Sequence, residues 1–361
     1  MDTPLHVVEV LAGVFLILFV AWDVFNTVAL PRPTPSVYRL ARNLTRWSWR
    51  AWRWQANRMA AGGQKRERWL GGFAPLLVLV LLVAWVVILN LGFALVDLAL
   101  GKGFSPPIED LGTAFYTAGT GLLTIGFGDI VPTILLTRLI SLISAGLGLG
   151  TVALVITYLF SLYGSFQRRE VLVTTLDARA GAPPSGIALL ETLQRADLLG
   201  ELPTLFGDWE RWAAEVLDSH LAYPVLGYFR SSHDNESWLA SLGAMLDAAV
   251  LILTTVENQP RGQAEMLVAI GVHLVEDLSN FFGFPNDGRV AIERAEYDAA
   301  RQRLEEAGFH LEDADVGWIL FAQIRGRYAS RLNELARFWM TPPALWIGDR
   351  EHDAHHPTVA G

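Results

Sequence analysis

Cysteine is absent from all 361 residues, which excludes disulfides and thiolate metal sites. Charge is scarce as well. Asp, Glu, Lys and Arg make up 18% of the chain, against 52% hydrophobic residues and a mean hydropathy of +0.32. That balance excludes an ordinary soluble domain and points to a membrane protein with a soluble part. Basic residues are in deficit in the second half. Residues 1–165 carry 12 Lys+Arg against 8 Asp+Glu, whereas residues 166–361 carry 16 against 29. An acidic half of this kind argues against nucleic-acid binding. No Gly-rich dinucleotide fingerprint follows a strand. Gly146-Leu147-Gly148-Leu149-Gly150 lies within an apolar run with no strand before it, and reads as a bend and a close-packing site.

What is present is a set of long apolar runs. Val7 to Leu30 is long enough to span a bilayer, with Glu9, Asp23 and Asn26 near its ends. A cleaved signal peptide ending at Thr27-Val28-Ala29 is the rival reading, but Met1 to His6 lacks the basic residues such a leader needs. Phe73 to Val96 is the second run, about 36 Å long as a helix, and Asp97 and Lys102 are expected beyond it at the far surface. Ile134 to Gly164 is the third, about 46 Å as a helix, so its inner end is expected to tilt or project beyond the hydrocarbon. Between the first two, Pro31 to Leu70 interleaves Arg32, Arg39, Arg42, Arg46, Arg50, Arg53, Arg58, Lys65, Arg66 and Arg68 with Trp47, Trp49, Trp52, Trp54 and Trp69. Basic, Trp-rich helices lie in membrane interfaces, where indole rings are half wet and anionic lipid attracts Arg. Single-stranded nucleic acid is the weaker alternative, since both flanks are membrane runs. The positive-inside bias places this segment in the cytoplasm, the loop after the second span outside, and the C-terminal part inside.

A short helix is expected over Ile108 to Leu122, entered through Ser105-Pro106-Pro107 and favoured by Glu109 and Asp110 at its positive end. Thr124-Ile125-Gly126-Phe127-Gly128-Asp129 comes directly after it. A cation that sheds its water must be rewrapped by oxygens, and backbone carbonyls supply them without adding charge. Successive carbonyls face one axis only if the backbone alternates unusual φ/ψ values, which Gly126 and Gly128 permit. The six residues resemble the selectivity filter of pore-loop potassium channels, usually Thr-Val-Gly-Tyr-Gly-Asp. The resemblance extends to Ala114-Phe115-Tyr116 upstream and to Pro132 and Arg138 downstream, and covers roughly Phe73 to Gly164, as in the two-helix class with an extra N-terminal span.

The resemblance implies that Thr124, Ile125, Gly126 and Phe127 supply K+-binding oxygens while Gly128 and Asp129 close the outer end. It implies a hinge at Gly148. It also implies a homotetramer, because one chain has one pore loop and the family pore needs four. Two departures stand out. Phe127 replaces the usual Tyr, and Thr117 stands where many relatives carry an aromatic that braces it. Thr120 stands where some carry a buried Glu, while Tyr116 remains able to hydrogen-bond Asp129. Leu149, Val152, Ile156 and Phe160 form one helical stripe. The resemblance turns it towards the pore, with Ile156 and Phe160 as an apolar gate; packing against a neighbouring span is the alternative. No intramembrane helix repeats Arg at three-residue spacing, so an intrinsic voltage sensor is not expected.

The expected organisation is a transmembrane helix over 1–30, an interfacial basic segment over 31–70, a pore domain over 71–165 and a cytoplasmic helical domain over 166–361. The fold class is all-α membrane protein. In the last part Leu239, Leu242, Met245, Leu246, Ala249, Leu253 and Val256 fall on one helical face, and Met266, Leu267, Ile270, Leu274, Leu278 and Phe281 on another. Segments 289–308 and 311–340 are helix-like, and Ala182 to Gly186 reads as a turn. Functional signals there are weak. His233-Asp234 is read as a surface pair, His352, His355 and His356 as a polar tail, and His273 as a hydrogen-bonded core residue. The expected function is a K+-selective channel in a prokaryotic inner membrane, touching anionic lipid, gated through its cytoplasmic domain by an unknown ligand, with no cofactor and no enzymatic activity. The rival is a non-conducting receptor or scaffold that retains a channel fold.

Overall fold

Among the described residues three helices are long and apolar enough to cross a membrane, Pro4–Val28, Gln64–Ala99 and Leu135–Ala180. The computed structural model describes residues 3–30, 39–60, 63–231, 236–285 and 287–349. Arg32, His233-Asp234 and His352, His355 and His356 lie outside the described residues. In chain order the helices are α1 (Thr3–Val24, prolonged by a π-helical turn to Ala29), α2 (Leu40–Ala56), α3 (Gln64–Gly71), α4 (Phe73–Ala99), α5 (Leu111–Leu122), α6 (Leu135–Ala180), α7 (Gly186–Arg195) and α8 (Leu202–Ala222). They continue as α9 (Trp238–Thr254), α10 (Gly262–Phe282), α11 (Arg294–Glu306), α12 (Ala314–Arg325) and α13 (Ala329–Trp339). Two two-residue strands, β1 (Phe104–Ser105) and β2 (Val131–Pro132), pair antiparallel with Phe104 opposite Pro132. Packing divides the chain into one unit of Met1–Ala61 with Arg68–Gly164 and another of Gly62–Glu67 with Ser165–Gly361. The boundary falls inside α6.

In the first unit α1 lies against α4 where both lack a side chain. A Cβ on Gly13 would sit 2.5 Å from the Gly92 carbonyl oxygen, and one on Gly92 3.0 Å from that of Gly13. Small residues allow this approach, and dispersion over the resulting contact holds apolar helices together in lipid. One polar contact adds register. Asp23 is fully buried, and its Oδ2 accepts from Trp85 Nε1 at 2.8 Å and from the Ala41 amide at 3.2 Å, tying α1 to α4 and to the start of α2. Arg39 donates to Thr27 Oγ1 and to the Asn26 carbonyl. On α2, Trp49 is buried against Phe73 with ring centres 4.8 Å apart, and Trp52 stacks on Trp69 at 4.0 Å. Trp47 and Trp54 remain exposed, with guanidinium groups of Arg50 and Arg58 over their rings.

Asp97 continues α4 rather than following it. It lies within the last turn of α4, on the face that also buries Phe93 and Ala94, and is itself buried. The third span also runs further than its apolar stretch. Nothing between Gly164 and Ala180 breaks a helix, and α6 ends only where Gly181 takes φ +81° ahead of Pro183.

In the second unit α9 is the centre, packed by α7, α8, α10, α12 and α13. It is buried on nearly every side rather than along one face, because neighbours surround it; Ser241, Asp247 and Thr254 are buried along with the apolar residues. Val256 lies past its end, bridged to Leu311. Asp247 is matched by Arg325, whose Nε donates to Oδ1 at 2.9 Å, and by Tyr328, whose hydroxyl donates to the same oxygen at 2.6 Å. Arg325 also donates to the Val290 and Trp346 carbonyls. Burial and the adjacent Asp247 charge hold the Tyr328 hydroxyl well above the usual tyrosine range. On α10 the buried stripe is Ala264, Leu267, Val268, Leu274, Val275 and Leu278, whereas Met266 and Phe281 are exposed. His273 is exposed too, 3.5 Å from Asp277 one turn on. The 3.6-residue period puts it opposite the stripe despite its apolar neighbours. The 311–340 segment is two helices, since the chain turns at Gly326 between α12 and α13.

Candidate functional site

The loop between α4 and α6 is tied together at its base. Besides the β1–β2 pair, the Gly103 carbonyl accepts from the Thr133 amide (2.8 Å), Thr133 Oγ1 (2.8 Å) and Thr137 Oγ1 (3.0 Å). Everything between therefore forms one closed excursion. Its helix, α5, starts at Leu111 rather than Ile108, because Asp110 is the N-cap: its carboxylate accepts from the Thr113 amide at 3.0 Å and from Thr113 Oγ1 at 2.5 Å. Those bonds hold Asp110 below the usual carboxylate range. Pro106 and Pro107 lie ahead of the helix. Ala114, Ala118 and Leu122 are buried at four-residue spacing in the core they share with α4. Asn90 of α4 donates from Nδ2 to the Phe115 carbonyl at 3.0 Å, and a Cβ on Gly119 would lie 3.3 Å from the same amide.

The C-terminal end of α5 organises the residues after it. The Thr120 carbonyl accepts from the amides of Ile125 (2.8 Å) and Gly126 (3.2 Å). The backbone then alternates. Thr124, Gly126 and Gly128 have φ of +57°, +61° and +79°, while Ile125 and Phe127 lie outside the positive-φ region. A β-branched residue at positive φ is a true outlier, and such strain persists only where surrounding structure enforces it. Space is not the constraint. A Cβ at Gly126 or Gly128 would meet nothing within 4 Å, and residues 123–129 are exposed.

Side chains brace this segment from one side. Tyr116 donates its hydroxyl to Asp129 Oδ2 at 2.8 Å, and its ring stacks on Phe127 with centres 6.3 Å apart and 6° between planes. Thr117 and Thr120 give their hydroxyls back to α5, to the carbonyls of Thr113 and Thr117, each at 2.8 Å. The structure thus brings Thr124 to Asp129 and Tyr116 together. Gly148 packs against the end of α5: a Cβ there would lie 2.0 Å from the Leu122 carbonyl oxygen. Further along α6, Leu149, Val152, Ile156 and Phe160 are exposed, whereas Val155, Tyr158 and Leu162 are buried. Among the described residues nothing buries the side chains of that stripe. Asn90 and Asp23 escaped sequence reasoning as working residues. The signal that could have found them is a polar side chain inside an apolar run. Among the described residues no group of three or more His, Asp or Glu side chains is placed to hold a metal ion.

This closed excursion lies within the part of the chain that matches an ion-channel domain. Residues 76–164 match the family described as "Ion channel". The chain is also 23% identical over 206 residues to the "Uncharacterized membrane protein YdjJ" of Bacillus subtilis (strain 168), an alignment that covers 56% of this chain and 59% of that protein. No solved structure matches.

Proposed function

We propose that this chain is a potassium-selective channel that conducts as a homotetramer. The observation that carries the reading is the alternation of φ sign along Thr124, Ile125, Gly126, Phe127 and Gly128. Alternating handedness turns successive peptide groups so that their carbonyls share one side, and a ring of four such strands rewraps a dehydrated K+. The strand touches little of its own chain, in keeping with partners supplied by other copies around a closed ring. The exposed Ile156 and Phe160 would then face the pore as an apolar neck that blocks hydrated ions by dewetting. Residues 166–361 would lie in the cytoplasm, with the exposed Arg42, Arg46, Arg50, Trp47 and Trp54 of α2 turned to anionic lipid. Purified protein in liposomes tests this. K+-driven flux with Na+ excluded is expected, and no flux in either ion would favour a receptor or scaffold.

A further inference from the structure

Past Gly164 the helix that carries the stripe continues into the second unit, and there it holds a buried cation. Arg169 is 2% exposed. Its Nη1 donates to the Leu226 carbonyl at 2.9 Å and lies 3.2 Å from His220 Nε2, its Nη2 donates to the Phe229 carbonyl at 2.9 Å, and its Nε donates to Glu170 Oε1 at 2.9 Å. The rings of Phe166 and Trp238 lie 5.3 Å from the guanidinium carbon. The Arg169 carbonyl in turn accepts from Trp212 Nε1 at 2.9 Å. One residue of α6 therefore gathers α8, the 226–229 turn and the start of α9. Only a planar fork of five donors reaches several fixed acceptors at once.

His220 decides whether the fork can stay. It is buried, and its Nδ1 is 2.9 Å from the Val216 carbonyl. A carbonyl can only accept, so Nδ1 carries the proton and Nε2 offers a lone pair to Arg169. Protonating Nε2 would set N–H against N–H and place a second positive charge beside the first in a buried site. The charged groups facing His220 are Arg169 and, through it, Glu170, both on α6. From α8 it meets Ser219 and the Val216 carbonyl, and from α9 the Trp238 ring at 4.9 Å; Glu236, two residues before Trp238, is a buried carboxylate.

We propose that Arg169 is the positioning residue by which the helical domain fixes the inner-helix extension, a latch closed while His220 is neutral and released when it is protonated. The consequence for conduction rests on the potassium-channel reading. Burial first, and the Arg169 charge second, hold His220 well below the ordinary histidine range. A depressed pKa in the latched state means that acid favours the unlatched one: the latch is intact above the ordinary histidine value and is lost as pH falls through the lowered one.

The test uses full-length protein in liposomes, with K+ flux measured at about pH 7.5, above the ordinary histidine value, and at about pH 4.5, well below it. Wild-type flux is expected to change at least about threefold, reversibly, as roughly 0.7 kcal/mol of latch free energy is lost. His220→Gln, which keeps a neutral acceptor, should hold its neutral-pH flux at both values. Arg169→Gln should show at neutral pH the flux that wild type shows in acid, and Arg169→Lys, a single ammonium, should not restore it. An acid response in His220→Gln equal to wild type, or Arg169→Gln indistinguishable from wild type at both pH values, overturns the latch. Absence of flux in every variant refutes the channel reading instead. Hydrogen exchange of the wild type then reads the latch without conduction: acid should raise exchange within 165–180 and 220–229 ahead of α9, and an unchanged or uniform pattern overturns it.

Discussion

Replacing Gly126 with Ala changes one methyl group per chain and nothing around it. Gly126 sits at φ +61°, and a Cβ built there meets no atom within 4 Å, so the substitution introduces conformational strain without a clash. An L-residue in the left-handed region costs about 1–2 kcal/mol. Four copies around one pore sum to about 4–8 kcal/mol against the conducting arrangement. At about 1.4 kcal/mol per factor of ten, that arrangement falls in population by roughly 10³- to 10⁶-fold. Each strand can escape by turning its peptide plane, which relieves the strain locally and spares the rest of the fold. K+ flux should therefore drop below detection while the melting temperature in detergent stays at the wild-type value. Wild-type flux in Gly126→Ala would refute the reasoning, because the positive φ would then not be needed for conduction. Loss of flux together with loss of folding would mean that the residue acts through packing, contrary to the open space around it within its own chain.

Gly148→Ala should destabilise the pore by about 1–3 kcal/mol through overpacking against the Leu122 carbonyl, read as a lowered melting temperature; an unchanged melting temperature would show that α5 and α6 do not approach as described. Replacing Arg42, Arg46, Arg50 and Arg53 with Gln in a peptide of α2 should weaken its binding to anionic vesicles by about 1 kcal/mol per charge, whereas equal binding to neutral and anionic vesicles contradicts an interfacial role. Asp247→Ala leaves the Arg325 guanidinium buried without its carboxylate and should cost about 3–5 kcal/mol, while joint replacement of both by Leu and Met should recover most of that loss.

The apolar runs announced α1, α4 and α6 because span length is a property of composition along the chain. The backbone of the proposed filter was legible for a similar reason: Gly126 and Gly128 mark where positive φ is expected, and both adopt it. Thr124 at φ +57° was not legible, since a β-branched residue signals the opposite and only its surroundings hold it there. Gly148 illustrates the limit from another side. A glycine in a helix announces either a bend or a close neighbour, and which atom lies beside it depends on the placement of a second element; here α6 runs unbroken through Gly148 with the Leu122 carbonyl against it. His273 misled because its immediate neighbours are apolar, whereas burial on a helix is decided by residues three and four positions away. Arg169 follows the third apolar run, where a basic residue is ordinary in sequence. Its burial depends on carbonyls of residues 226 and 229, 57 and 60 positions away, which no local pattern encodes.

Under the potassium-channel reading, Thr124 to Gly128 form a filter that passes K+ and rejects Na+. Its most direct measurement is the reversal potential of purified protein in planar bilayers with K+ on one side and Na+ on the other. A reversal potential near the K+ equilibrium value is expected, and it disappears in Gly126→Ala. A reversal potential near zero with sustained current, showing equal passage of both ions, would contradict it.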